Sequence, residues 1–492
     1  MVISASNHNY RYECEKICRL FFPADKILFV TDEKEMPSDG RTVVTEIKED
    51  DDAVHFSCRA CLDGKEASYS FYVPPFQCEG DSLRERLLAK AMVKVLKELT
   101  GINPPWGILT GIRPAKLMRK YMNENGASFA EEYFRDFFEV SEEKTLLASD
   151  VAAFENTCIS LSGDNSFSLY VSIPFCPTRC SYCSFVSHSV KSAAKLIPEY
   201  IEKLCEEIKI TAEKAKEESL KLETVYIGGG TPTSFSAEEL TKITDALKDS
   251  FDMENVREFT VEAGRPDTID EKKLLALKRA GVTRISINPQ TFSDSVLKAI
   301  GRPHTAEDTE EKFRLARNFG FDNINTDLIA GLPTDSFEGF TDSIERAIAL
   351  SPENITVHTL SLKRSAEIVT ENETADICRE TEKMVDYANK RLYESGYRPY
   401  YMYRQSKSIG NLENTGWCKE NKPCLYNIFM MEEIHTVLAV GASAVTKLKD
   451  PYSEKLERVY NYKYPYEYIS RFSDMKQRKN EIGRFMSECR SK

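Results

Sequence analysis

The stretch Leu169–Tyr170–Val171–Ser172–Ile173–Pro174–Phe175–Cys176–Pro177–Thr178–Arg179–Cys180–Ser181–Tyr182–Cys183 runs from a strand-like segment, Leu169–Ile173, straight into three cysteines spaced C-x3-C-x2-C. Thiolates that close together can hold an iron–sulfur cube by three corners and leave one iron without a protein ligand. Most protein-held clusters take four cysteines. A site built for chemistry keeps one coordination position open, as catalytic zinc sites do. An open iron points to an enzyme.

From about residue 165 onward, strand-like runs alternate with helical stretches. The strand-like runs are Leu169–Ile173, Thr224–Ile227, Glu258–Val261, Arg284–Ile287, Asn323–Leu328 and Asn354–Leu360. Between them lie Pro198–Lys216, Ala237–Ser250, Asp270–Ala280, Ala306–Phe319 and Phe337–Leu350, each with helical character. Such βα units in succession predict an α/β fold, a parallel sheet with outer helices, either an open barrel or a doubly wound sheet. A helix over Thr381–Ser395 closes the region, and the Tyr- and Lys-rich remainder reads as a separate cap. The expected domains are 1–160, 161–398 and 399–492.

In the first domain, strand-like Lys26–Val30 and Ala67–Val73 flank an acidic tract, Glu46–Asp52, read as a solvated face. A helical segment follows around Leu83–Leu99. The stretch Asn103–Pro–Pro–Trp106–Gly–Ile–Leu–Thr–Gly–Ile–Arg113–Pro114 is too rich in Gly and Pro for a helix or strand interior. It reads as a structural loop anchored by Trp106, or else as a surface for substrate or for the second domain.

At 492 residues the chain can build several domains, and 41% hydrophobic with 29% charged residues is an ordinary soluble balance. A net charge of −12 and a pI near 5.3 argue against nucleic acid or an anionic membrane as main partner. No apolar run approaches the ~20 residues of a membrane span, and Met1–Cys14 carries no signal pattern; a cytoplasmic protein is expected. The 14 cysteines are mostly scattered, which suits reduced thiols better than a disulfide scaffold. Cys14/Cys18, Cys58/Cys61 and Cys418/Cys424 could each be half a zinc site, but no second pair sits at matching distance.

The unusual residues fall at the C-terminal ends of the strands, the face on which parallel barrels build active sites. Gly228–Gly229–Gly230–Thr231–Pro232–Thr233 ends the second strand, and Glu262, Gln290, Asp327 and His358 mark the next four. The glycines serve a turn, or let a ligand's amino or carboxylate group approach the backbone, with Thr231 as hydroxyl donor. Glu262 and Asp327 are helix caps, or carboxylates for an amine or ribose hydroxyls. Gln290 offers a donor and an acceptor. Arg302 forms a surface ion pair, or pins a carboxylate. Tyr182 could stack on a purine.

The C-x3-C-x-Tyr-C loop with Gly-Gly-Gly-Thr-Pro on this βα chain resembles the radical S-adenosylmethionine (SAM) superfamily. Within it, Tyr170–Val–Ser–Ile–Pro–Phe–Cys176, Gly228–Thr233, Gly301–His304 and Asp327–Leu–Ile–Ala–Gly–Leu–Pro333 resemble the oxygen-independent coproporphyrinogen III oxidases (dehydrogenases), and Val440–Gly–Ala–Ser–Ala444 also fits. Pro105–Pro114 and Asn411–Leu–Glu–Asn414 are similar to the longer HemZ-type branch. The resemblance implies a partial (β/α)6 barrel with an N-terminal α+β domain and a small C-terminal cap. It implies that Cys176, Cys180 and Cys183 ligate a [4Fe–4S] cluster whose open iron binds SAM. Tyr170, Tyr182, Gly229 and Glu262 match positions that contact this cofactor. Gly230, Thr231, Gln290, Arg302 and Asp327 match the site of a second SAM molecule, and Leu360 one further backbone contact.

The implied reaction draws one electron from a donor such as flavodoxin or ferredoxin. A radical generated from SAM removes hydrogen from the β-carbon of a propionate on a tetrapyrrole substrate, and loss of CO2 and an electron leaves a vinyl group. Arg302, Arg364 and Arg404 are the cationic candidates for the propionates. The chain departs from the family pattern in two places: Phe185 stands where the dehydrogenase carries a further Cys, as in the related heme chaperones, and Ser172 replaces a His. The competing expectations are a heme-binding chaperone that keeps the cluster, and radical methylation or ring opening of a porphyrin.

Overall fold

The computed structural model describes residues 1–31, 35–37, 40–185, 188–362, 374–405 and 407–490. The chain forms two compact units. The first comprises Met1–Ala152, Thr370–Glu382 and Tyr403–Glu413; the second comprises Ala153–Val369, Lys383–Met402 and Asn414–Lys492.

The N-terminal part runs β1 (Val2–Ser6), α1 (Arg11–Phe21), β2 (Leu28–Val30), β3 (Thr42–Glu49), β4 (Val54–Leu62), β5 (Lys65–Val73), α2 (Asp81–Thr100), α3 (Pro114–Asn125), α4 (Ala127–Asp136) and α5 (Glu142–Ile159). Its five-stranded sheet has the order β2-β1-β3-β4-β5. Alternation places Val43, Thr45 and Ile47 of β3, with Val54, Phe56, Cys58 and Ala60 of β4, on the buried face. The acidic tract is the end of β3 and its turn into β4.

The Gly- and Pro-rich loop after α2 is built around a buried polar cluster within this first unit. Trp106 is buried and donates Nε1–H to Glu413 Oε2 at 2.8 Å; Lys144 Nζ donates to Glu413 Oε1 at 2.6 Å. Burial opposes charge on Glu413, but the Lys144 ammonium and the indole hold its carboxyl below the usual range. The guanidinium of Arg404 stacks over Trp106 and donates to the carbonyls of Leu109 and Gly111. Arg404 therefore serves this loop, a correction to its candidacy as a propionate ligand. Arg364 lies outside the described residues.

The second unit continues with β6 (Ser166–Ile173), β7 (Phe175–Cys176), β8 (His188–Ser189), α6 (Val190–Ala193), α7 (Ile197–Glu217), β9 (Lys221–Gly229), α8 (Ala237–Ser250), β10 (Glu258–Glu262), α9 (Glu271–Arg279), β11 (Arg284–Ser286), α10 (Asp294–Ala299), α11 (Ala306–Asn318), β12 (Ile324–Ala330), α12 (Phe337–Leu350) and β13 (Asn354–Thr359). Then come α13 (Ala375–Glu394), β14 (Arg398–Arg404), β15 (Glu413–Cys418), α14 (Leu425–Glu432), β16 (Thr436–Val440), β17 (Val445–Lys449), β18 (Leu456–Tyr460), α15 (Pro465–Ser470), α16 (Phe472–Arg478) and α17 (Asn480–Arg490).

An 11-stranded sheet of order β14-β15-β13-β12-β11-β10-β9-β6-β16-β17-β18 organises this unit. From β6 through β13 the neighbours are parallel and follow the order in which the βα units occur in the chain. The strands read as near-continuous apolar runs because both faces are covered, as in parallel sheets generally. Helices start at side-chain caps: Ser236 and Thr305 each close a capping box at α8 and α11. Beyond the expected strands, β16 pairs parallel with β6, and β15 pairs antiparallel with β13. No described helix is long and apolar enough to cross a membrane.

Candidate active site

The thiol loop leaves β6 at Pro174 and enters β7, where Cys176 pairs with Ser189 of β8. None of Cys176, Cys180 and Cys183 is in a disulfide. The Cys183 amide closes a turn on Cys180 O at 3.0 Å. Burial is the main cause raising the Cys183 thiol, and Cys180 and Cys176 add to it, which places all three thiols in one neighbourhood. Thr231 Oγ1 donates to Cys176 Sγ at 3.5 Å, and an Arg265 nitrogen lies 4.0 Å from Cys180 Sγ. Arg265 is fixed by Asp267, its Nε and one terminal nitrogen each 2.9 Å from a carboxylate oxygen. The loop is tied down by Ser181 N to Ile300 O at 3.1 Å and Thr178 Oγ1 to Gly301 O at 3.3 Å.

The glycine run at the end of β9 packs against this loop. Gly230 N donates to Ile173 O and Thr231 N to Phe175 O, both at 2.8 Å. A Cβ on Gly230 would stand 2.5 Å from Phe175 O and 2.8 Å from Ile173 O, closer than any side chain tolerates. Gly229 has φ +108 and donates its N–H to Glu262 Oε2 at 3.2 Å. Close backbone approach to Ile173 and Phe175 explains Gly230, and its left-handed φ explains Gly229, before any ligand is invoked.

A carboxylate group lies next to it at the strand ends. Tyr226, in β9, donates its hydroxyl to Glu262 Oε1 at 2.7 Å. Burial pushes the Glu262 carboxyl up to about 7; the Tyr226 hydroxyl pulls the other way and the charge of Asp327 adds to the rise. Burial also opposes charge on Asp327, but His358 at 3.8 Å and the amide of Asn325 at 2.7 Å hold it below its ordinary value. Asn288 donates a further 2.7 Å bond to Asp327 Oδ2. One carboxylate is kept charged and its neighbour is poised near neutrality. Beneath them Tyr170, Tyr226 and Tyr426 stack, with 4.5 Å between the Tyr226 and Tyr426 ring centroids.

Gln290 takes a left-handed conformation (φ 72) and bridges to β12, its N–H on Asp327 O at 3.0 Å. Arg302 is buried and donates to Asn288 O at 2.6 Å and Gly264 O at 3.3 Å, beside Tyr182 and Cys180. Leu360 follows β13 with its N–H engaged by Ala330 O at 3.0 Å. Tyr170, Tyr182, Gly229, Gly230, Thr231, Glu262, Gln290, Arg302 and Asp327 thus lie on the same ends of the sheet as the cysteines, or on the loops that follow. Tyr226, Asn288, Asn325, Arg265 and Tyr426 are additional polar and aromatic partners there. Asn288–Pro289–Gln290 carried a signal, an amide at alternate spacing from Gln290, whereas Tyr426 is remote in sequence and had none.

The residues fit an iron–sulfur cluster and a sulfonium amino acid. The three thiols, none in a disulfide, are ligands such a cluster would take, and carboxylates, an amide and an arginine surround them. Asn288 Oδ1 and Arg302 Nε are buried without a hydrogen-bond partner, so acceptor and donor capacity is left over at this spot. Among the described residues no three His, Cys, Asp or Glu side chains converge to hold a single metal ion; a cube needs its thiolates only at separate corners. At the other ends of the strands, a cavity of about 620 Å3 is lined by Arg257, Glu258, Thr283 and Asn323. Its charges are already paired, Arg257 with Glu223 and Glu258 with the Leu425 and Tyr426 amides.

Residues 170–347 match the family model of the radical SAM superfamily. The oxygen-independent coproporphyrinogen-III oxidase-like protein HemZ of Bacillus subtilis is 36% identical over 468 residues, covering 93% of this chain and 92% of that one. The chain belongs to the radical SAM superfamily, in the HemZ-type branch of the coproporphyrinogen III oxidase family. Membership brings a [4Fe–4S] cluster and SAM as its cofactors. The heme chaperone HemW of Bacillus subtilis is 42% identical over 197 residues, 39% of this chain and 50% of that protein. Among solved structures, coproporphyrinogen III oxidase (HemN) from Escherichia coli superposes with a TM-score of 0.51 at 20% identity, covering 66% of this chain and 73% of that one, a likeness of fold.

Proposed function

We propose that this protein is an oxygen-independent coproporphyrinogen III dehydrogenase, converting propionate side chains of a tetrapyrrole to vinyl groups by oxidative decarboxylation. The observation that carries the reading is a hydrogen-bonded pair of strand-end carboxyls, Glu262 on Tyr226 and Gly229 and Asp327 on Asn288 and Asn325, beside three cysteines that form no disulfide, in a chain that matches an oxidase-like relative along nearly its whole length. When bound, the cluster and SAM supply a one-electron reductant and an agent that abstracts hydrogen. Cys176, Cys180 and Cys183 hold the cluster. Tyr170, Tyr182, Gly229 and Glu262 orient one SAM molecule; Gly230, Thr231, Gln290, Arg302 and Asp327 receive a second, with Leu360 adding a backbone contact. The protein's work is positioning and exclusion of water, which the buried, largely hydrogen-bonded walls suit.

A second reading, a heme chaperone, draws on Phe185 in place of a cysteine and on the HemW likeness. Anaerobic incubation of the reconstituted, reduced protein with SAM and coproporphyrinogen III separates them. The dehydrogenase yields vinyl products and CO2 by mass spectrometry. Stoichiometric heme binding without vinyl product would replace it by the chaperone.

A further inference from the structure

We propose that the surface around the cysteine loop is the docking face for an acidic one-electron donor protein. The inference rests on Cys176, Cys180 and Cys183 holding the cluster, and it starts from charge. The chain carries 78 acidic residues and a net charge of −12, yet none of the acids falls between Asp164 and Glu199. That run contains the whole thiol loop and the cations Arg179, Lys191 and Lys195, all exposed. Lys298, also exposed, lies in the last turn of α10, two residues before Ile300, whose carbonyl holds Ser181 of the loop. Among the described residues Lys191, Lys195 and Lys298 join no ion pair. Lysines left unpaired on an acidic protein mark a place where opposite charge is brought from outside.

The patch also has aromatic character. Phe185, next but one to Cys183, is 64% exposed, and Tyr466 is 51% exposed. His188, paired with Phe175 beside Cys176, meets the Tyr464 ring at 6.1 Å, and Tyr464 stacks on Tyr466 at 5.5 Å with Lys463 alongside. An aromatic run thus extends from the ladder partner of the thiol loop to exposed surface. Aromatic residues are enriched at the centres of protein interfaces, and the rim around them is polar. The nearest acids along these elements are Glu199, Glu467 and Asp294, the last engaged by Ala306 N at 2.8 Å. Transfer is one electron from the donor, which is oxidised, to the cluster, which is reduced. Tunnelling falls steeply with distance, so the donor must seat beside the loop that carries the thiolates.

The test uses the full chain with its cluster reconstituted, and compares the unaltered protein with the triple variant Lys191→Glu, Lys195→Glu, Lys298→Glu. SAM cleavage is driven either by reduced flavodoxin or by dithionite. With flavodoxin the variant should lose about tenfold or more in kcat/KM and most of the salt dependence, because steering by charge contributes on that scale. With dithionite it should match the unaltered protein. Equal flavodoxin-driven rates would overturn the docking face, as would an equal loss with dithionite or a raised KM for the tetrapyrrole, which would assign the lysines to substrate. An unaltered protein reduced by dithionite but by neither flavodoxin nor ferredoxin would also overturn it. Failure of dithionite to drive any cleavage would remove the cysteine assignment itself, and the docking face with it.

Discussion

Glu262 accepts hydrogen bonds from Tyr226 and from Gly229 N–H, and burial, with the charge of Asp327 adding to it, keeps its proton up to about 7. Below that value the carboxyl is neutral; above it the carboxylate accepts hydrogen bonds from an ammonium or ribose hydroxyls more strongly. SAM should therefore bind more tightly as pH rises through neutrality, between roughly pH 6 and pH 8. Glu262→Gln should flatten that profile and weaken binding by roughly tenfold or more, since hydrogen bonds to charged groups contribute about 1.5–3 kcal/mol. Equilibrium dialysis of labelled SAM on the reconstituted protein measures both, and a flat profile in the unaltered protein would contradict the role. At this scale the sequence was informative where chemistry demands a rare residue in a tight pattern, as in the three cysteines or Gly228–Gly230. It was silent about Tyr226 and Tyr426, because a tyrosine inside a strand or at a helix start looks like any core aromatic until the rings are seen stacked.

Among the elements, the thiol loop and the glycine turn are one construction. Gly230 is required because the backbone of Phe175 passes where a side chain would be, and its N–H anchors Ile173 O. Gly230→Ala should push the loop off its register and lower iron and sulfide per chain after reconstitution to less than about half, while circular dichroism stays close to that of the unaltered protein; overpacking costs about 1–3 kcal/mol, too little to unfold the unit. Full cluster loading in that variant would show that the contact is dispensable. The parallel strands were legible because each is a short apolar run followed by an amphipathic helix, and chain order became sheet order. β16 was not: Thr436–Val440 is an equally apolar run, but its partner β6 lies far earlier in the chain and no local pattern names it. β3 and β4 were missed for a different reason. Charged outward residues such as Glu46 and Lys48 alternate with buried ones, and the acidic tract obscured the alternation.

For the whole molecule, the charge balance and the absence of a basic tract turned attention to small-molecule chemistry, and the cationic exception falls on the thiol loop. Trp106 was legible as an anchor, but its partners Lys144, Arg404 and Glu413 come from distant stretches and only folding brings them together. The central claim is that three thiolates hold a cluster whose remaining iron binds SAM. It is tested most directly by reconstituting the protein with iron and sulfide without oxygen, reducing it with dithionite, and quantifying 5′-deoxyadenosine from added SAM. The account predicts a brown protein that forms 5′-deoxyadenosine, and loss of both properties in the variant Cys176→Ala, Cys180→Ala, Cys183→Ala. A colourless unaltered protein, or cleavage that survives without these cysteines, would contradict it.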